Sequence, residues 1–335
     1  MNKRYGRQTV FFDESPYIRA YASTAGKKEG EGPYRAAFDK VVDDVYWGES
    51  SWEKAENKFV KQAILTALSK GSLSPADIDY IFAGDLLNQC TGTSYGLRIF
   101  EIPFVGLFGA CSTMGLSIKM ASMMVDGGFA DRCCAVTSSH FCSAERQFRF
   151  PLEYGGQRPP SAQWTVTGSA CVVVDKTEGN VRIECATTGK IVDLGIKDAN
   201  NMGAAMAPAA IDTLVTHFRD TGRKPSYYDA IFSGDLGKVG KSIVMDLMKK
   251  QGYDLSENYF DCGEMIFDES QDVHAGGSGC GCSGLMLCAH ILPQMEKKKL
   301  RRVLFMPTGA LMSPTAVQQG ESIPGVAHAL SLYIE

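Results

Sequence analysis

The segment Pro75 to Leu86, PADIDYIFAGDL, returns as Pro225 to Leu236, PSYYDAIFSGDL, with seven of twelve positions identical. Each copy follows apolar residues at helical spacing, Phe59 to Leu68 in one case and Ile211 to Phe218 in the other, and runs into an apolar strand. A second landmark repeats at a fixed interval. GACSTMG around Cys111 precedes the strand CCAVTSS at Cys133 by 22 residues, and GCGCSG around Cys282 precedes LFMPTG at Leu304 by the same 22. Two landmarks at one spacing mark a duplicated unit, and 335 residues leave room for both copies with a core in each.

Within each copy the order is helix, strand, strand-like segment, small-residue turn, apolar helix, strand, which predicts a layered α/β protein. The helix after Cys111 carries Met114, Ile118, Ala121 and Val125 at helical spacing. After Ser283 the run LMLCAHIL is apolar nearly all round, so that helix is expected to be buried between layers and to stop at Pro293, before a solvated EKKK stretch. The copies differ between landmarks: Asp85 to Cys111 spans 26 positions and Asp235 to Cys282 spans 47, so an insertion containing Tyr253 to His274 should lie near the second helix start. His140 to Trp164 is too long and too rich in Gly, Pro and Arg for a plain connector, and is read as a loop covering a site.

A net charge of -4 gives no reason to expect nucleic acid or another polyanion as a partner. MNKRYGRQTVFF lacks the apolar stretch of a secretory signal, no later window is long and apolar enough to span a membrane, and no lipidation motif is present, so cytoplasmic synthesis is expected. The 11 cysteines are scattered through apolar runs such as Cys133-Cys134, a pattern of buried thiols rather than of a disulfide framework.

Cys111 follows Gly109-Ala110 at a helix start, where unpaired backbone N–H groups and the positive helix end favour thiolate; a small buried residue in an apolar turn is the equal alternative. Acyl transfer would also require a base and oxyanion donors. Of the five histidines, His217 and His290 fall in helices and His328 beside the final strand, which leaves His140 and His274 as candidates. Cys280-Gly-Cys282 has no second Cys or His pair to complete four zinc ligands, and VHAGGSGCGCSG lacks the Lys-Ser/Thr ending of a phosphate-binding loop. No metal and no cofactor is expected.

These motifs resemble the thiolase and ketoacyl synthase superfamily. GACSTMG resembles its nucleophile turn, Thr165 to Thr188 is similar to the strand and hairpin that open its second half, and GSGCGCSG is similar to the thiolase pattern Gly-His-Pro-x-Gly-Ala-Ser-Gly. The resemblance implies an α/β thiolase-like fold with layers αβαβα and a pseudo-twofold axis, the halves being 1–164, with 140–164 as the covering loop, and 165–335. Carried over by position, the thiolase histidine falls on Ser278 and its second cysteine near Thr308-Gly309; the histidine of ketoacyl synthase III falls near Ser233 to Leu236 and its asparagine near Gly276 to Gly279. The nucleophile is kept and its bases are not. Each such loss removes about 10² to 10⁴ from turnover, so an efficient condensing enzyme is not expected.

One branch matches the altered motifs. GRQTVFF, IFAGDL with IFSGDL, FGACSTMG and HAGGSGCGCSG closely resemble the stage V sporulation protein AD family of spore-forming bacteria. The resemblance implies non-catalytic binding of dipicolinic acid (pyridine-2,6-dicarboxylate) or its calcium chelate for uptake into the developing spore. It also implies a homodimer along a sheet edge, and association with the inner spore membrane through other stage V sporulation A proteins. Two helix starts facing one pocket suit a planar dianion, but each contributes only about 0.3 to 1 kcal/mol while a millimolar Kd needs about 4 kcal/mol. Arg146, Arg149 and Arg158 in the covering segment, or Lys238 and Lys241, are the candidate counter-charges, and Asp235 could face a bound calcium. Ser112, Cys282 and Thr308 join Cys111, His140, Ser233, His274 and Ser278 as candidate ligand contacts. The competing reading is an active acyltransferase or thioesterase using Cys111; a scaffold that holds membrane partners is the third.

Overall fold

The computed structural model describes residues 3–148 and 158–335. Ten principal strands run in chain order as β1 (Tyr17–Gly26), β2 (Tyr80–Gly84), β3 (Phe104–Gly106), β4 (Arg132–Ser139), β5 (Gly168–Asp175), β6 (Val181–Thr188), β7 (Ala230–Gly234), β8 (Tyr259–Asp261), β9 (Arg302–Ala310) and β10 (Gly325–Tyr333). Their spatial order is β3-β2-β4-β5-β1-β6-β10-β9-β7-β8. Each strand of one half is thus matched by the strand five numbers later in the other, and the row reads as a mirror about its centre. At that centre β1 and β6 share only Ile18↔Val181 and Tyr17↔Arg182, so the row is two five-stranded sheets hinged on a short contact. In each, the three outer strands are parallel and the inner ones antiparallel. β5 belongs to the first sheet, so the chain changes sheets in the hairpin after Asp175, although sequence likeness divides it at 164/165.

Helices pair in the same way: α1 (Trp52–Lys70), α2 (Thr91–Leu97) and α3 (Thr113–Asp126) against α4 (Met202–Thr221), α5 (Gly237–Lys250) and α6 (Cys280–Met286). α1 covers β1, β4 and β5 with α2 outside it; α4 covers β9 and β10 with α5 outside it. Between the sheets lie α3, touching β2 and β4 on one side and β9 and β10 on the other, and α6, touching β4, β5 and β7. The layers are α, β, α, β, α, as the resemblance implied. Burial on both sides explains why β4 reads RCCAVTSS, without an alternating polar face. Met114, Ile118, Ala121 and Val125 are all buried. Truncating either Met114 or Ile118 to alanine should cost about 2 to 5 kcal/mol.

The last buried helix departs from expectation. It does not stop at Pro293: a π turn, Leu287–Ile291, widens the backbone just ahead of the proline, and helix resumes over Leu292–Glu296 with Pro293 in its first turn. There the missing N–H has no partner to lose. The insertion between Asp235 and Cys282 lies where expected, since its Gly277–Ser278 strand pairs with Trp164–Thr165 directly before α6. All 11 cysteines are free thiols, most of them buried. Among the described residues no helix is long and apolar enough to cross a membrane.

One buried carboxyl ties α1 to the sheet beneath it. Glu56 accepts from Ser138 Oγ (2.9 Å) and Ser143 Oγ (3.1 Å). Burial, and then the neighbouring Asp85, pushes its pKa upward, and burial raises that of Asp85 as well. A carboxyl raised in the folded state favours folding while protonated and loses that contribution as pH climbs from the unfolded value. A Glu56→Gln variant should therefore gain Tm relative to the parent as pH is raised from about 5 to about 8. Thermal melts across that range check it, and a pH-independent difference would refute it.

Candidate functional site

The repeated Gly-Asp-Leu sequence sits where each central strand meets a helix start. A Cβ on Gly84 would stand 1.9 Å from Leu107 O, and one on Gly234 2.8 Å from Ser283 Cβ. The two aspartates have diverged. Asp85 is structural: its carboxylate accepts from Leu87 N (2.7 Å), Thr93 N (2.7 Å) and Thr93 Oγ1 (2.6 Å) at the start of α2. In the second half Asp261, brought by the insertion, accepts from Leu236 N (3.2 Å), Gly237 N (2.8 Å) and Ser233 Oγ (2.7 Å). Asp235 is thereby released. It is buried at φ 70, and neither carboxyl oxygen has a geometrically sound hydrogen bond. Burial, then Asp261, raises its pKa well above the carboxylate range, against a weaker pull from the Cys282 thiol and the Gly279 N–H beside it.

Cys111 rides a tight elbow. Ala110 takes φ 48, Ser112 N and Thr113 N turn back to Gly109 O (3.0 Å) and Ala110 O (3.1 Å), and Thr113 Oγ1 also donates to Ala110 O (2.6 Å). Strand β9 presses on this turn at Gly309, whose added Cβ would lie 2.2 Å from Gly109 O and 3.1 Å from Cys111 N. Buried burden and charge set the thiol: burial first, and the Asp235 carboxylate second, drive its pKa up, while backbone N–H groups of Gly279, Cys111 and Ala310 oppose them. Those N–H groups converge where an oxyanion or carboxylate oxygen could be held. Cys280 Sγ donates to Ala110 O (3.0 Å), bracing the elbow from α6.

Over Cys111 opens a narrow cavity lined by Leu86, Phe108, Ala110, Ala144, Phe148, Thr165, Met202, Ser278, Ala310 and Met312. Its walls are apolar apart from the Cys111 thiol and the Thr165 and Ser278 side chains, and no lysine or arginine among the described residues lines it. Cys111 and Ser278 are the two expected contacts that reach it.

The other candidates are engaged elsewhere. His140 accepts from Cys142 N at Nδ1 (3.2 Å), so Nε2 carries the proton donated to Val45 O (2.8 Å), in a separate cavity. His274 is half-buried beside Asp272 (3.6 Å). His217 bonds Thr187 and Tyr228, His328 accepts from Gly189 N, and His290 packs on Tyr34 and Phe232, so no histidine is bonded to Cys111. Arg146 pairs with Glu53 and covers Trp52; Arg158 donates to Gln163 O and covers Trp164. Lys238 and Lys241 pair with Glu269 and Glu264. Ser112 Oγ donates to Gly109 O (2.6 Å), Thr308 Oγ1 to Gly234 O, and Ser233 serves Asp261. Cys282 is buried beside Asp235, behind the elbow. Arg149 lies outside the described residues. Sequence reasoning missed the apolar walls, Phe108, Phe148, Met202 and Met312, which come from four separate segments without a shared pattern.

Paired sheets, two buried helices starting at one point and a cysteine elbow define a thiolase-fold protein. Solved structures agree on the fold. A variant of OleA from Xanthomonas campestris matches with TM-score 0.59 at 13% identity, over 96% of this chain and 99% of that one. 3-Oxoacyl-[acyl-carrier-protein] synthase III from Aquifex aeolicus VF5 matches with TM-score 0.59 at 11% identity over 95% and 99%. Human mitochondrial 3-ketoacyl-CoA thiolase matches with TM-score 0.58 at 12% identity over 96% and 98%. The chain belongs to the stage V sporulation protein AD (SpoVAD) family, whose profile matches residues 6–333. It is 48% identical over 328 residues to stage V sporulation protein AD of Bacillus subtilis (strain 168), spanning 98% of this chain and 97% of that protein.

A thiol held protonated by burial and an adjacent acid is a poor nucleophile. With iodoacetamide at about pH 7.5, half-buried Cys90 and Cys142 should be alkylated at least about tenfold faster than Cys111. Peptide mass spectrometry over time checks this; Cys111 labelling first would show an activated thiolate.

Proposed function

We propose that the protein binds dipicolinic acid or its calcium chelate in the cavity over Cys111, without turning it over, in support of its uptake during sporulation. The observation that carries this reading is the isolation of the thiol: the nucleophile turn is intact, yet no histidine meets Cys111, and the nearest acid, Asp235, raises its pKa. The apolar walls suit the faces of a small planar ring. Backbone N–H groups of Gly279 and Ala310 and the hydroxyls of Thr165 and Ser278 supply donors for carboxylate oxygens.

Charge decides between ligand forms. Burying a dianion against walls without a cation is costly, whereas calcium and dipicolinate form a neutral one-to-one chelate. Titration calorimetry should give heat with both forms and at least about tenfold tighter binding of the chelate. Met312→Trp, which fills the cavity, should weaken both by tenfold or more. An acyl-CoA thioester should leave no adduct on Cys111 by intact mass. Absence of heat with either ligand, or a stoichiometric acyl adduct, would overturn the proposal, the adduct in favour of the acyltransferase reading.

The expected homodimer is best served by β3. It pairs with β2 on one side only, and Phe104 (39% exposed) and Val105 (38%) stand beside Ile99 (51%) and Phe108 (49%) as an apolar edge. Antiparallel pairing of two copies there would cover the edge and bring a second chain to Phe108, hence to the cavity mouth. Val105→Lys should shift the mass from dimer to monomer in light scattering; an unchanged dimer excludes this edge. Association with the spore inner membrane through other stage V sporulation A proteins remains part of the proposal.

A further inference from the structure

A second, roomier cavity opens between the turn at Gly26 and the strand end at His140. At its base lies Glu29, 1% exposed. One carboxyl oxygen accepts from Thr167 N (3.0 Å), and the other, Oε2, has no partner. The room beside Oε2 depends on Gly26, where an added Cβ would stand 2.7 Å from that oxygen and 2.8 Å from Thr167 Cβ. A buried carboxyl oxygen without a donor is a costly feature, and stability alone would favour glutamine or an apolar side chain there.

The remaining lining says what donor fits. Phe59, Val42 and Phe141 provide an apolar wall, and Asp44 and Glu31 add carboxylates near the mouth. Of the two lysines in the lining, Lys28 is committed, its Nζ bonded to Gln271 O (2.6 Å) and held over Trp164 at 4.2 Å. Lys27 is exposed, and among the described residues no ion pair joins it to Glu29. His140 contributes a neutral ring, because its Nδ1 accepts from Cys142 N and its Nε2 proton is spent on Val45 O. The lining therefore has a buried acceptor, no free donor that reaches it, and an excess of carboxylates over uncommitted cations.

We infer that this cavity is a binding site for a small primary amine whose ammonium group meets Glu29 Oε2 and whose apolar body lies along Phe59, Val42 and Phe141. The site is separate from the cavity over Cys111. An ammonium supplies the missing donor with a complementary charge, the arrangement in which a buried hydrogen bond is strongest. An isosteric alcohol supplies a donor without the charge, which gives the discriminating comparison.

The test uses the full chain with 2-phenylethylamine and 2-phenylethanol as probes, read by calorimetry, together with the Glu29→Gln variant. The amine should bind at least tenfold more tightly than the alcohol, and the variant should lose at least tenfold in amine affinity while its dipicolinate titration is unchanged. Equal binding of amine and alcohol, or full amine affinity in the variant, would overturn the inference. No binding of the amine to the parent at about 10 mM would do so too, leaving Oε2 to an ordered water. Should the variant fail to fold, the parent alone decides: Cys142 lines this cavity and Cys90 does not, so the amine should slow iodoacetamide labelling of Cys142 at least threefold and leave Cys90 unaffected. Equal rates with and without amine would overturn it.

Discussion

Everything in this fold depends on bringing the starts of two buried helices together between two sheets. Backbone must pass within van der Waals contact of backbone there, and side chains would hold it off. The glycines mark those contacts: Gly84 against Leu107 O, Gly234 against Ser283, Gly309 against the Cys111 elbow, and Gly281, whose added Cβ would lie 2.7 Å from Gly168 O. Once the elbow is pinned to β9, Ala110 is forced to positive φ, and the Cys111 sulfur is aimed at the N–H groups of Ala310 and Gly279. A strained residue before a nucleophile position is tolerated because the packing around it is over-determined. The cavity is the space these contacts leave between the sheets' ends.

The duplication explains both what the site keeps and what it has given up. The two Gly-Asp-Leu ends share one sequence, and Asp85 takes a structural task, receiving the N–H groups of Leu87 and, in the first turn of its helix, Thr93. The insertion in the second half delivers Asp261 to that task and leaves Asp235 only the Cys282 thiol and the Gly279 N–H beside it, near a cysteine whose ionisation it opposes. In a condensing enzyme the group beside the nucleophile should help to ionise it. Here the adjacent group is a buried acid, and the likeness to OleA, the synthase and the thiolase is one of fold.

The repeat, the alternation of elements and the buried helix after Cys111 were legible because each rests on local spacing, either 2 or 3.6 residues, or on identity between copies. The continuation of helix beyond Pro293 was not legible, because a proline normally ends a helix and only the π turn before it allows continuation. Among the candidate contacts, Cys111 was legible from its place at a helix start, and Ser278 from the resemblance, which carries the thiolase histidine onto it. His140, Arg146 and Arg158 were chosen by chemistry and by nearness in sequence, but these cations settle over Trp52 and Trp164, and the histidine turns to Val45. The walls could not be read, since an apolar residue facing a cavity looks the same in sequence as one facing the core.

Two cavities with opposite chemistry flank the covering segment, and that contrast bears on how each can select a ligand. Over Cys111 the polar groups are mostly donors, backbone N–H and hydroxyl, set in apolar walls; a ligand must bring acceptors and little net charge. Beside His140 the unsatisfied group is an acceptor, Glu29 Oε2, and a ligand must bring a donor. A buried unpaired group discriminates more sharply than an apolar wall, because the wrong ligand leaves it unpaired while a misfit of one methylene costs only about 1 to 3 kcal/mol. On the two proposals, selectivity in the first cavity would rest on shape and charge neutrality, and in the second on a single oxygen.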